Sequence, residues 1–341
     1  MSISSSLTAL QAAKTNIAAA IVAKGGTVNE GDGFSDFATD IGTISGGGTT
    51  PDIYPIGSDC RPYGDVVLSS NITSIYNGAD TSTGNMHLFA NSSTITSVTG
   101  LAVTFVGQRA FCNSASITAV NFPALTWVNG SAFTGTSSLT SITFPPTIRT
   151  LYQQAFYNAG LTSLTLPSGE VEINSNAFSN CLALQTINLG TDSGTGTISL
   201  SGEAQFTNCT SLVSADVSRC NRIATGMFRM NGVNTTFTTL VLPAVTSAVG
   251  FTAANNNNPI YRCCGLQNIT VGDGWSLNVM FSDDSTNFSN EITHDSIVGI
   301  FNALADYTGG TAHTIRFGAT NLARVTEAEI AIATAKNWTV S

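Results

Sequence analysis

Leu139-Thr140-Ser141-Ile142-Thr143-Phe144-Pro145 is followed, 22 residues on, by Leu161-Thr162-Ser163-Leu164-Thr165-Leu166-Pro167. Both stretches carry apolar residues at positions 1, 4 and 6, the last two at the two-residue period of a strand. The proline that closes each has no N–H to give, so it stops a β-ladder there. Leu184-Gln185-Thr186-Ile187-Asn188-Leu189 and Leu266-Gln267-Asn268-Ile269-Thr270-Val271 repeat the pattern. A second regularity runs between the strands. Phe89, Phe111, Phe133, Phe156 and Phe178 stand 22, 22, 23 and 22 residues apart, and alanine precedes the last four. The step from Phe178 to Phe206 is 28, an insertion of six residues in the region of Gly190 to Gly202; the series then resumes through Phe228 and ends near Tyr261. Six residues after each aromatic an apolar residue opens a strand (Ile95, Ile117, Leu139, Leu184, Leu212), with Leu161 one residue early.

One strand and one turn cannot bury an apolar face alone, so such copies must stack and share a continuous core, which predicts a solenoid. The recurrent Phe fills the core beneath the turn in this reading. Cys181, Cys209 and Cys264 each follow an aromatic by three residues, where a small thiol would stack between coils.

The repeated unit resembles the BspA-like leucine-rich repeats, which read roughly L-x-x-I-x-L-P, a variable stretch, then A-F-x-x-C-x-x-L. The resemblance covers about residues 85 to 275 and implies a leucine-rich-repeat solenoid, a stack of parallel β-strands with about 22 residues per repeat. Residues 229–260, with the polar run Asn255 to Asn258, depart from the pattern and predict an irregular or enlarged coil. Residues 61–84 read as a degenerate capping coil, so the solenoid is expected over 61–275.

The two ends have a different texture. Ile3, Leu7, Leu10, Lys14, Ile17, Ile21 and Lys24 follow alternating spacings of four and three, a heptad seam on an alanine-rich helix. Gly25-Gly26 ends that helix, and Phe34, Phe37 and Ile41 mark the apolar face of a short second one. Ile3, Leu7, Leu10, Ile17 and Ile21 therefore predict either oligomerisation, with a homotrimer as one outcome, or a helical hairpin folded on itself. Residues 1–45 form this N-terminal helical module and 46–60 a Gly/Thr/Pro linker. The C-terminal 276–341 predicts a small α/β capping module. Thr293 caps a helix carrying Ile297, Ile300, Phe301 and Leu304; His313 to Phe317 is a strand; Thr326 and Glu329 form a capping box; Trp338 to Val340 is a last strand. The wording of this end, from His294-Asp295-Ser296 to Ile330 through Trp338, resembles the terminal module of leucine-rich-repeat proteins from gut bacteria and their phages. That of Leu10 to Ile17, Lys24 to Val28 and Gly33 to Phe37 is similar to an N-terminal module of phage tail and fibre proteins.

Composition narrows the function classes. Only 10% of the 341 residues are charged while 42% are hydrophobic, which excludes a disordered chain. A net charge of -9 gives no footprint for a phosphate backbone, so nucleic acid is not an expected partner. Lysine occurs only at 14, 24 and 336, which leaves a long middle surfaced by hydroxyls and amides and suited to neutral partners such as glycans. No run approaches the roughly 18–20 apolar residues of a spanning helix, so membrane insertion is not expected. Met1 to Ser6 lack the basic start of a secretory signal, and export by that route is not expected unless a signal has been removed. The seven cysteines show no paired C-x-x-C spacing and are expected to be mostly buried free thiols.

Signatures of phosphate loops, dinucleotide folds, nucleophile elbows, zinc helices and calcium loops are all missing, so neither a cofactor nor an enzymatic activity is expected. The one acidic cluster with a base is Asp283, Asp284, Glu291, His294 and Asp295. It reads as a polar loop and first helical turn, where carboxylates suit the helix dipole. Arg219, Arg222, Arg229 and Arg262 form the main basic cluster, for an anionic sugar or for salt bridges. The surface best placed to bind is the outer side of the strands. The residue between the fourth and sixth positions points away from the core, giving Thr99, Asn121, Thr143, Thr165, Asn188, Asp216, Val241 and Thr270. Stacked about 4.8 Å apart, they would contact a repetitive glycan or an extended peptide, or simply be what an exposed strand favours.

Together the resemblances imply a bacteriophage virion protein, a tail, fibre or head-decoration component. It would attach to other virion proteins through its N-terminal module and display the solenoid to a host-surface glycan or protein. The other reading is a bacterial cell-surface leucine-rich-repeat adhesin. A glycan hydrolase would require a carboxylate pair near Asp216 or within 283–295.

Overall fold

Parallel strands recur along two stretches of the coils. The computed structural model describes residues 63–68, 70–75, 89–190, 195–244, 248–249, 258–282 and 289–341. The seam Ile3, Leu7, Leu10, Ile17 and Ile21, the second helix and the linker lie outside these residues, as do His87, Asp283 and Asp284.

The first sheet collects the L-x-x-I-x-L strands. Gly64–Val67, Ile95–Thr99 and Ala119–Asn121 form a three-stranded run; Ser163–Thr165, Thr186–Asn188, Ser214–Asp216, Thr239–Leu242 and Asn268–Val271 form a five-stranded one. Alternation sets the faces, as where buried Ile187 sits between exposed Thr186 and Asn188. Residues 139–145, whose sequence is the plainest strand signal in the chain, fall between the two runs and form no ladder. Their alternation survives, since Leu139 and Phe144 are buried while Thr140, Ser141 and Thr143 are exposed. The next coil is a residue short before Leu161, and the chain closes up there. A Cβ on Gly160 would stand 2.0 Å from the Ser137 carbonyl oxygen, so only glycine fits.

The second sheet was not anticipated. Ser74–Ile75, Phe105–Val106, Trp127–Val128, Thr150–Leu151, Val171–Asn174 and Ile198–Ser201 pair in unbroken parallel order. Its signal is an apolar residue five positions before the repeat phenylalanine, at Val106, Val128, Leu151 and Ile173, all buried.

Between the sheets the phenylalanines form one column. Ring centroids lie 5.2, 5.0, 5.1, 5.3, 5.7 and 5.7 Å apart from Phe89 to Phe228. From Phe111 to Phe228 each side chain is fully buried, and burial of so much aromatic area dominates the core. The turn carrying each Phe alternates in hand. From Phe111 to Phe206 the residues two before and two after it have positive φ, as in Gln154 (58°) and Asn158 (56°) or Asn176 (56°) and Asn180 (58°). This points alternate N–H groups at the following coil, where Gln154 donates to Ser175 O (3.1 Å), Phe156 to Ala177 O (2.8 Å) and Asn158 to Ser179 O (3.0 Å). Backbone polar groups that would be orphaned under the turn are thereby satisfied.

The same bonding corrects the register at the end of the series. Phe228 N donates to Pro259 O, so Ile260, not Tyr261, takes the phenylalanine position. The buried thiol stacking between coils is then Cys263, whose Sγ donates to Phe228 O (3.1 Å), as Cys181 and Cys209 do to Phe156 O (3.2 Å) and Phe178 O (3.4 Å). Cys264 is only half-buried, and the six described cysteines are free thiols. Burial pushes the Cys181 thiol up to about 12. In the enlarged coil after Phe228, Phe237 opens the strand nine residues on instead of six.

Past the solenoid come helix α1 (His294–Ala303), helix α2 (Ala319–Leu322) and helix α3 (Glu327–Ala335), with a parallel sheet ordered Val279–Met280, His313–Arg316, Trp338–Val340. Thr293 caps α1, and Thr326 with Glu329 closes both halves of a capping box on α3. Helix α1 packs on Asn268–Val271, the last strand of the first sheet. Thr293 N donates to Gln267 O (2.9 Å) and Ile269 N to Ser296 Oγ (3.0 Å) across that junction. Phe317 packs on Phe281 at 5.6 Å and edge-on to Phe301, giving this unit its own aromatic centre.

Candidate functional site

The ladder aligns the outward row as side-by-side partners. Thr99 pairs with Asn121, and Thr165, Asn188, Asp216, Val241 and Thr270 follow one another across five strands. Asn121, Thr165, Asn188 and Thr270 are exposed; Thr99, Asp216 and Val241 are half-buried. Thr143 is exposed but sits in the segment that forms no strand, where the ladder divides into two runs. A second row, two residues earlier, was missed: Ser163, Thr186, Ser214, Thr239 and Asn268 are likewise consecutive partners. Its signal was the third position of the unit, which shares parity with the fifth. The threonines at the second position serve the fold instead. Thr118 and Thr162 Oγ1 donate to Thr96 O (3.1 Å) and Thr140 O (3.2 Å) of the preceding coil.

Charge on this face is sparse and tied down. Asp216 Oδ1 accepts from Ser218 N at 2.9 Å, and a Cβ on Gly190 would lie 2.0 Å from Asp216 Oδ2. The carboxylate therefore shapes its own turn, and its partners in the row are Asn188 and Val241, not a second carboxylate. Asp65, on the first described strand, accepts from Ser97 Oγ (2.6 Å) and Thr96 Oγ1 (2.8 Å). Those bonds, Ser97 first, hold its pKa below the usual carboxylate value.

The four arginines do not make one basic patch. Arg219 is 6% exposed, with its guanidinium on the carbonyls of Gly196 (3.0 Å), Thr195 (3.0 Å), Pro167 (3.1 Å) and Gly169 (3.2 Å), which ties the six-residue insertion to the coil before it. Arg262 lies over the Tyr261 ring at 5.2 Å and donates to Asn231 O. Of the acidic cluster, His294 is bridged by Asp295 (Nδ1, 2.9 Å) and Glu329 (Nε2, 3.0 Å), and Arg324 meets Glu291 at 3.2 Å. Asp295 and Glu329 belong to the first turns of α1 and α3, so the cluster joins two helix N-termini. Among the described residues no group of three or more His, Cys, Asp or Glu is gathered to hold a metal, and no helix is long and apolar enough to cross a membrane.

A stack of short parallel strands with an open hydroxyl- and amide-bearing face defines a leucine-rich-repeat solenoid. The chain belongs to the BspA-type leucine-rich repeat family: the BspA type Leucine rich repeat region matches in six copies, over residues 66–137 and 126–258, more than half of its length. Among solved structures it is similar to a leucine-rich repeat protein from Bacteroides ovatus (13% identity, 85% of this chain and 98% of that chain, TM-score 0.42). It is also similar to a leucine-rich repeat protein of T. pallidum (17%, 63% and 87%, TM-score 0.38) and to a leucine-rich cell surface protein from Faecalibacterium prausnitzii (14%, 74% and 96%, TM-score 0.25). No curated protein matches the chain at a significant level. None of these similarities bears on the tail- and fibre-type reading of residues 1–45.

Proposed function

We propose that this chain is a non-enzymatic recognition protein of a bacterial cell surface, a leucine-rich-repeat adhesin whose first sheet contacts an extended neutral glycan of a host. The observation that carries the reading is the in-register row Thr165, Asn188 and Asp216 beside the row Ser163, Thr186 and Ser214. Small hydroxyls and amides repeated at the strand spacing offer donors and acceptors at a constant step, with little charge to favour an ionic ligand. The cell-surface setting leads over the virion because the proposed recognition face lies within the family repeats, whereas what argues for a particle specifically lies in residues 1–45, the wording of the C-terminal end being common to bacteria and phages.

The test is binding of the full chain to host cells and to a panel of neutral oligosaccharides, beside a Thr165→Arg, Asn188→Arg double variant. Both positions are exposed, so the variant folds and blocks the rows; binding weakens at least tenfold, about 1.4 kcal/mol. Undiminished binding by the double variant would overturn the reading. The virion remains the second reading on the wording of Leu10 to Phe37. Finding the chain in purified phage particles, and not in cell envelopes of the strain that encodes it, would put it first.

A further inference from the structure

Away from both sheets, the turns of four successive coils enclose a groove of about 490 Å³ that crosses Asn91, Arg109, Asn113, Thr134, Gln154 and Tyr157. The size falls within the ~300–1,000 Å³ of small-molecule sites. Two residues after the repeat phenylalanine, at positive φ, stand Asn91, Asn113, Gly135, Asn158, Asn180 and Asn208. Gly135 is the exception in this asparagine row, and a Cβ there would come 2.6 Å from Asn113 Oδ1, so the space beside it is taken by the Asn113 amide that lines the groove.

The lining has one cation and no carboxylate. Arg109 is exposed, holds a positive φ of 57°, and takes part in no ion pair among the described residues. By contrast, Arg149, Arg219 and Lys336 are each held by backbone carbonyls. The positive φ serves the turn as it does in the other coils, with Arg109 N donating to Gly130 O (3.0 Å), so the backbone is set by the fold while the side chain stays exposed. The amides beside it are only partly satisfied by each other: Asn113 Nδ2 donates to Asn91 Oδ1 at 3.2 Å. Tyr157, half-buried, also lines the groove. A guanidinium fits a carboxylate through two parallel hydrogen bonds, amides pair with hydroxyls, and a phenol ring covers the apolar face of a pyranose.

We propose that this groove binds an acidic sugar, a hexuronate unit whose carboxylate pairs with Arg109 and whose hydroxyls are met by Asn91, Asn113 and Gln154. The site is separate from the strand face and does not rest on the role given to that face. The experiment is calorimetric titration of the full chain with a galacturonate trisaccharide and with its neutral galactose counterpart. The uronate binds, the neutral sugar binds at least tenfold more weakly, and Arg109→Asn, which keeps a residue tolerant of positive φ, loses at least tenfold for the uronate with an unchanged Tm. If Arg109→Asn fails to fold, Gly135→Asn is read instead; it keeps a residue tolerant of positive φ and pushes the Asn113 amide out of its place in the lining, with the same expected loss. The Thr165→Arg, Asn188→Arg double variant binds the uronate as the unaltered chain does. Equal affinity for the two sugars, no uronate binding, or full binding by the folded groove variant overturns the proposal.

Discussion

Asn208 shows how much one side chain carries in this turn. Its φ is 61°, its Nδ2 donates to Asn180 Oδ1 at 2.6 Å, and its Oδ1 accepts from Asn231 N at 3.3 Å. Asparagine tolerates the left-handed region because its short amide bonds locally, and here the amide also links three coils. Asn208→Ala removes both advantages and is expected to cost about 1–2 kcal/mol, measured as a lower urea midpoint with an unchanged slope. Asn208→Gly recovers the conformational part but not the bridges, and should fall between. An alanine variant as stable as the parent would mean that the inter-coil backbone bonds alone hold the turn.

At the scale of elements, the junction of α1 and α3 depends on pH. His294 is raised above its ordinary 6.5 by hydrogen bonds to Asp295 and then Glu329. The protonated imidazole is therefore favoured in the folded state, and its contribution is fully present below pH 6.5 and lost as pH rises through the raised value. Glu329 is lowered, first by its bonds to Thr326, so it stays ionised across that window. An NMR titration of the His294 ring should give a midpoint above 6.5, moving down in Glu329→Gln; a midpoint at or below 6.5 would refute the bridge. Nearby, Lys336 Nζ reaches the carbonyls of Asn302 (2.6 Å), Leu304 (2.9 Å) and Phe301 (3.2 Å) at the C-terminal end of α1. Charge at both ends of α1 thus complements its dipole.

For the molecule as a whole, the energetics are those of a one-dimensional stack in which coils bond chiefly to their neighbours, Arg219 being an exception that reaches two coils back to Pro167 and Gly169. Deleting residues 157–178 removes one 22-residue period and joins Phe156 to Ser179, so the unit still reads A-F-x-x-C. Phe156 would then stack on Phe206, and Thr150–Leu151 would lie beside Ile198–Ser201. The shortened chain is expected to fold with the same far-ultraviolet circular dichroism per residue and a lower Tm, since one interface is lost together with the Arg219 bonds to Pro167 and Gly169. A molten or aggregated product would mean that the stack is less modular than its bonding implies.

The sequence by itself determined the period, the phenylalanine column, the buried thiols, the outward row and the caps of α1 and α3, because each follows from local chemistry repeated at a fixed step. Residues that recur with one parity and one spacing must share one environment if the copies stack. It did not reveal the second sheet, whose strands are mostly two residues long and leave only Val106, Val128, Leu151 and Ile173 as a trace. Nor did it show that 139–145, the most regular strand of all, would stay outside the ladder, or that Ile260 and Cys263 would replace Tyr261 and Cys264 in register. Those outcomes depend on how neighbouring coils meet: on Gly160 lying against Ser137, and on which carbonyl each N–H finds. The candidate sites divide in the same way. The strand row was legible as a pattern, while the burial of Arg219, the tether on Asp216 and the groove around Arg109 arise only where separate coils come together in space.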